Sequence, residues 1–278
     1  MNPEATVVAP HRLARAGRSH AWATLICLGL LLLLCLLSVA LGTRWISPDQ
    51  IYTLLVRPDG SEVAGIVHRM RVPRTLFGLL AGAALAVAGA LMQGLTRNPL
   101  ADPGILGVTA GASVGIVLTT AVLGAVSVYT YVWCGFAGAL AATALVYGIG
   151  SAGNGGTTPA KLALAGAAVS ALLQSLVSAA LLVDAAALGD FRFWAVGALT
   201  GQPAATLGPV LPFFAAGAVL AAATAPGLNT LALGEDVARG LGRRVGRTRL
   251  RGAAAVTVLA GAAVALCGPI AFIGLLVP

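Results

Sequence analysis

Charge is scarce in this sequence, and so are most residues that perform polar chemistry. Only 9% of the 278 residues are Asp, Glu, Lys or Arg, against 58% hydrophobic, and the mean hydropathy is +0.93. A water-soluble domain needs a far more polar surface. The three histidines, His11, His20 and His68, all lie outside the apolar runs, so an intramembrane Ser–His hydrolase has no base and a zinc protease has no ligands. Cys27, Cys35, Cys134 and Cys267 sit within apolar runs, none at metal-ligand spacing, and read as small hydrophobes. The single lysine, Lys161, follows "TTPA", so there is no P-loop. "GIGSAG" (148–153) has the spacing of a dinucleotide motif but follows an apolar helix, and reads as a loop. No cofactor, metal or nucleic acid is expected. The net charge of +8 comes from basic residues scattered between apolar runs, not gathered on one folded face.

Long apolar runs fill the space that charge leaves. Ala21–Gly42 is 22 residues without a charge, enough at ~1.5 Å per residue to cross the ~30 Å hydrocarbon core. A cleaved signal is the alternative for this segment, but a signal's apolar region is only ~7–15 residues long. Seven spans are expected, at 21–42, 75–95, 104–124, 128–149, 161–183, 207–225 and 252–267. The fold class is therefore all-α, a polytopic membrane helical bundle. Residues 1–20 form an N-terminal tail and 21–278 a single transmembrane domain, with polar stretches only at 43–73 and 226–251. "LGDFRFWAVGALTGQ" (188–202) is too short and polar to span, and reads as a short or half-inserted helix.

Counting Lys and Arg on alternate sides gives 11 on the N-terminal side and 6 on the other, which places the N-terminus and 226–251 in the cytoplasm. "RMRVPR" (69–74) then lies outside, against the bias, and needs a local reason. The helices are rich in small residues, with Gly107, Gly111 and Gly115 at helical spacing. Such spacing lets helix backbones approach, whether to line a path or in ordinary packing. Asn98-Pro99 and Asp102-Pro103-Gly104 break the chain between two apolar helices. Gly/Pro-interrupted membrane helices point to a transport path. The middles of the spans hold no ionisable residue, which speaks against proton- or ion-coupled transport.

"RVPRTLFGLLAGAALAVAGALMQGLTRNPLADPGILGVTAGASVG" (71–115) resembles the signature of the iron-siderophore, haem and cobalamin importer permeases, the transmembrane subunits of type II ABC importers. "KLALAGAAVSALLQS" (161–175) resembles that family's fifth helix, "LNTLALGEDVARGLG" (228–242) its ATPase-coupling segment, and "GPIAFIGLLVP" (268–278) its late glycine-rich motif. The resemblance covers nearly the whole chain from Trp45. Members of the family continue beyond this final proline to ten spans, so the stop at Pro278 reads as a truncation or fragment.

The resemblance implies specific roles. Arg71 and Arg74 match the arginines that receive acidic residues of an extracytoplasmic binding protein; Arg69 matches no family position. Arginine offers a planar donor fork whose charge does not titrate. Without the resemblance, these would read as arginines snorkelling at a helix end. Leu231, Leu233, Gly234, Glu235, Asp236, Val237, Ala238, Leu241 and Gly242 fall in the segment that meets the ATPase. There, Leu233, Val237 and Leu241 would form one apolar stripe for a partner's groove, and Glu235 and Asp236 would suit a helix start. The basic run that follows (243–251) reads as topogenic, or as an anchor to anionic lipid heads. Asn98 and Leu100 match the cytoplasmic gate, and Leu162 to Gln174 would line the path at a two-fold axis. Gln174 either faces that path or bonds a neighbouring helix. Phe191, Phe193 and Trp194 either close the outer side or are interfacial aromatics. The implied partners are ATPase subunits, a binding protein, a second permease copy or paralogue, and the bilayer. The implied activity is import of an iron-siderophore or a haem- or cobalamin-like compound. The competing readings are a secondary transporter working alone and a non-transporting membrane anchor.

Overall fold

The computed structural model describes residues 10–42, 45–57, 59–124, 128–152, 158–183, 189, 191–192, 194–199 and 203–278. It is a polytopic all-α protein. Among the described residues, six helices are long and apolar enough to cross a membrane, and Val108–Ala121 is a shorter apolar segment. Together they occupy the seven expected positions. The chain divides into two compact units, Met1–Thr75 and Leu76–Pro278.

In the first unit, α1 (Pro10–Ala40) begins inside the segment expected to be a tail. Proline suits a first helical position, since its missing N–H would be unpaired there anyway. The expected polar stretch after α1 folds into α2 (Pro48–Val56) and α3 (Glu62–Ile66). Ser61 caps α3, its Oγ accepting from Ala64 N at 3.2 Å. A π-helical turn, Val67–Arg71, joins α3 to α4 (Val72–Thr96). Ala40, Ile46, Ile51, Leu54, Ala64 and Val67 form the core of this unit.

The second unit takes in the remainder of α4, then α5 (Val108–Leu123), α6 (Val128–Ser151), α7 (Pro159–Val183), α8 (Leu207–Ala232), α9 (Glu235–Gly240), α10 (Val245–Cys267) and α11 (Ile273–Leu276). Most of α10 is buried; it packs against α8, α6 and α5. Side chains such as Phe77, Met92, Leu106, Val146, Val210 and Leu266 fill the core.

Three boundaries differ from the sequence reading. The third span starts at Val108, not 104, because Pro103–Leu106 is a 3-10 turn. Asp102 Oδ1 accepts from Gly104 N at 2.7 Å, and Gly107 ends the turn at φ 73°, a conformation that disfavours a side chain. Gly107 is therefore a cap and does not share a helical face with Gly111 and Gly115. The sixth span continues to Ala232, with Pro212 and Pro226 inside the helix. Thr230 Oγ1 donates to the Pro226 carbonyl at 3.0 Å, and packed neighbours let membrane helices tolerate such prolines. The last span starts at Val245, so most of the basic run lies in the first turns of α10.

Within the second unit, α5 and α6 approach through glycine. A Cβ on Gly111 would collide with the Gly138 carbonyl, and one on Gly115 with the Cys134 carbonyl. Close backbone contact is what small residues at helical spacing allow. The same glycines, with Leu118, Ala141 and Leu173, line an apolar groove of about 600 Å³ between α5, α6 and α7.

Candidate functional site

The turn after α4 is held by the backbone. Asn98 N donates to the Gln93 carbonyl at 3.3 Å, closing the helix end with Arg97 at φ 51°. Asn98 Oδ1 accepts from Leu100 N at 2.9 Å, and Ala101 N donates to the Asn98 carbonyl at 3.1 Å. Leu100, 74% exposed, is thus held outward by a locally bonded turn, and Ala101 beside it is buried. The pair expected at a gate, Asn98 and Leu100, belongs to one rigid element.

On α7, Leu162 packs against Gly150 of α6. It also lines a small cavity of about 20 Å³ with Met92, Leu95 and Thr96 of α4 and with Arg249 of α10. Leu162 therefore meets the end of α4 that leads into this turn. Gln174 is exposed, and its backbone carbonyl accepts from Ser178 Oγ at 3.0 Å. Further along, the Phe191 and Trp194 rings lie 5.6 Å apart. Phe193 lies outside the described residues.

The 228–242 segment is not one helix. Leu231 belongs to the last turn of α8, Leu233 caps that helix, and Gly234 stands at φ 117°, ψ 150°, a region open essentially to glycine. Helix α9 then holds Glu235 and Asp236 in its first turn, as expected, with Val237 next. Leu241 caps its end, and Gly242 N donates to the Arg239 carbonyl at 2.9 Å on the way to α10. The stripe expected on one helix is thus assembled from a helix end, a helix and a cap, because spacing by four does not continue through Gly234. Its members are still exposed, Leu233 at 66%, Val237 at 48% and Leu241 at 62%. Ala238 turns inward onto Leu231 and Val245.

Two arginines outside the expected site residues, Arg97 and Arg249, tie this segment to its neighbours. Arg97 Nη2 donates to the Leu231 carbonyl. Arg249 Nη2 pairs with Glu235 Oε1. The Arg249 side chain is only 14% exposed, which corrects its reading as a lipid anchor. Neither partner could be found from local spacing, since the partners lie 134 and 14 residues away.

The first unit holds the basic cluster. Arg71 is 5% exposed, and its Nη1 donates to the Val39 and Ala40 carbonyls, each at 2.8 Å. Arg74, half-buried, donates to the Ser38 carbonyl at 2.5 Å. Both guanidinia thus cap the carboxyl end of α1, where carbonyls lack helical partners and the helix dipole favours a cation. Arg69 is exposed.

Long apolar helices interrupted by bonded turns, with a short exposed helix at the end of one span, define a multi-pass membrane protein. The FecCD transport family description matches residues 30–278, and the chain belongs to that family. It is 47% identical over 254 residues to the ferric enterobactin transport system permease protein FepD of Escherichia coli (strain K12), covering 90% of this chain and 76% of the relative. It is 42% identical over 242 residues to the Fe(3+)-citrate import system permease protein YfmD of Bacillus subtilis (strain 168), covering 87% of this chain and 72% of that one. A solved metal-chelate type ABC transporter in an inward-facing conformation superposes with a TM-score of 0.77 at 27% identity, covering 91% of this chain and 79% of the other. The chain is thus a transport permease subunit of the ABC-importer class and not itself an enzyme.

Proposed function

We propose that this chain is the transmembrane subunit of an importer for iron chelates of the siderophore class, driven by a separate ATPase and fed by a separate extracytoplasmic binding protein. The observation that carries this reading is the family match over residues 30–278, with two relatives named for ferric enterobactin and ferric citrate. Two copies, or one copy and a paralogue, enclose the path, with α7 beside the two-fold axis. The gate turn at Asn98 and Leu100 closes the path on the cytoplasmic side. The exposed Leu233, Val237 and Leu241 offer the ATPase an apolar surface, which supports the coupling assignment.

Burial supports separate parts for the two arginines expected to dock, Arg71 and Arg74. Arg74, half-buried and bonded to one helix end, keeps donors for a carboxylate of the binding protein. Arg71, beneath the surface, holds the end of α1 on which Arg74 rests. Exposed pairs contribute only ~0.2–1 kcal/mol each, so docking stays reversible and charge chiefly steers encounter.

The test is reconstitution of the permease in liposomes with its ATPase and binding protein, followed by uptake of iron-loaded siderophore, haem and cobalamin. Uptake of the siderophore that stops without ATP and survives collapse of the proton gradient is expected. Uptake that follows the proton gradient without ATP would replace this reading with a secondary transporter.

A further inference from the structure

We infer that Arg97 and Arg249 are positioning residues that carry motion from the ATPase-facing helix to the gate, one on each side of a hinge at Gly234. The inference rests on the gate and coupling roles proposed above and assigns the connection between them. Before the hinge, Arg97 bonds the Leu231 carbonyl in the last turn of α8. That carbonyl also accepts from Gly234 N at 3.1 Å, so the arginine grips the group that anchors the hinge. A guanidinium at a helix carboxyl end adds a charged donor to a carbonyl there and matches the helix dipole. Arg97 cannot move freely from the gate, because the bond from Asn98 N to the Gln93 carbonyl fixes its backbone in the left-handed region. Displacing the end of α8 therefore pulls on the residue next to Asn98.

After the hinge, Glu235 pairs with Arg249 in the second turn of α10. Glu235 also pairs with Arg239 at 3.0 Å, but the Arg239 side chain is 60% exposed against 14% for Arg249. Solvent screens the first pair far more than the second. Arg249 further lines the cavity shared with Leu95 and Thr96 at the end of α4 and with Leu162 of α7. One route thus ends at Arg97, beside Asn98, through the α8 carbonyl; the other ends at the last turn of α4, which leads into the gate turn, through the base of α10. Gly234, with a backbone conformation nearly closed to other residues, is the joint between them.

The experiment uses the reconstituted transporter and compares iron-siderophore moved per ATP hydrolysed. Arg97→Gln and Arg249→Met are expected to hydrolyse ATP while that ratio falls roughly tenfold, the size of a typical coupling between sites. Arg97→Lys, which keeps a cation at the helix end, should recover part of it. Arg251→Met, which removes an exposed cation from the same helix, should keep the wild-type ratio. A second readout needs no partner. By hydrogen exchange on the solubilised permease, Arg97→Gln should speed exchange in 94–102 and in 228–234 together. Wild-type uptake alone decides the functional reading. The inference is overturned if both variants keep the wild-type ratio, or if exchange in Arg97→Gln rises in 94–102 only.

Discussion

Arg71 is a buried cation that donates to backbone carbonyls. One nitrogen, Nη1, donates to both the Val39 and Ala40 carbonyls, and the planar guanidinium sets its position, which lysine's shorter-reaching, differently directed ammonium does not reproduce. A Cβ on Gly42 would come within 2.5 Å of Arg71 Nη2, so glycine leaves the room the fork occupies. Arg71→Lys and Gly42→Ala should therefore act alike, each costing ~1–3 kcal/mol, the range for disturbed hydrogen bonds to a charged group. Thermal unfolding of the solubilised permease measures this, and an unchanged midpoint in both would contradict it. Arg74→Glu should differ in kind. It should lower the midpoint modestly, by the ~0.3–1 kcal/mol of a cation lost from a helix carboxyl end, but weaken binding-protein capture well beyond that, and the salt dependence of docking, set by screening over ~8–10 Å, should shrink. Unaltered capture with unaltered salt dependence would make Arg74 only a cap on α1.

Among the elements, the α5–α6 pair gives the sharpest test. Gly111 and Gly138 bring two helix backbones together so closely that a Cβ on either would strike a carbonyl of the other. Gly138→Leu should cost at least ~1–3 kcal/mol as overpacking, read as lost folded yield in the membrane. Wild-type yield and midpoint would mean that the helices can separate freely. That these helices exist was plain from the residues, because seven apolar runs cannot be satisfied in water. Their ends were not plain. Whether Pro226 breaks a helix depends on what packs around it, and α8 continues past it to Ala232. Whether residues 104–107 extend a span depends on the Asp102 cap and the φ of Gly107. Family resemblance proposes 228–242 as a coupling segment, and Val237 and Leu241 are exposed there. The contacts that stitch the segment to its neighbours, from Arg97 and Arg249, stayed hidden because both reach between distant elements. The basic residues that looked alike by charge proved different by burial.

Across the whole molecule, the arrangement of charge should fix orientation. Asp59 is exposed in the first unit and Arg247 is exposed near the start of α10. In a cysteine-free background, Asp59→Cys should react with an impermeant thiol reagent on intact cells, and Arg247→Cys should react only after the membrane is opened. The reverse pattern would invert the topology and remove Arg74 from the docking side. One feature of α5 then bears on how the protein meets lipid. Its 16 residues reach about 24 Å, short of the ~30 Å of hydrocarbon that α6 and α7 can cross. The irregular backbone beside it comes to lie at a depth where lipid cannot satisfy open polar groups, so protein or water must cover it. Protein does so in part: Ala101, Pro103 and Leu106 are buried, and the Ile105 carbonyl rests against Gly166 of α7. Along this sector the connection between α4 and α5 therefore turns protein, not hydrocarbon, toward its backbone, with Leu100 standing exposed beside it.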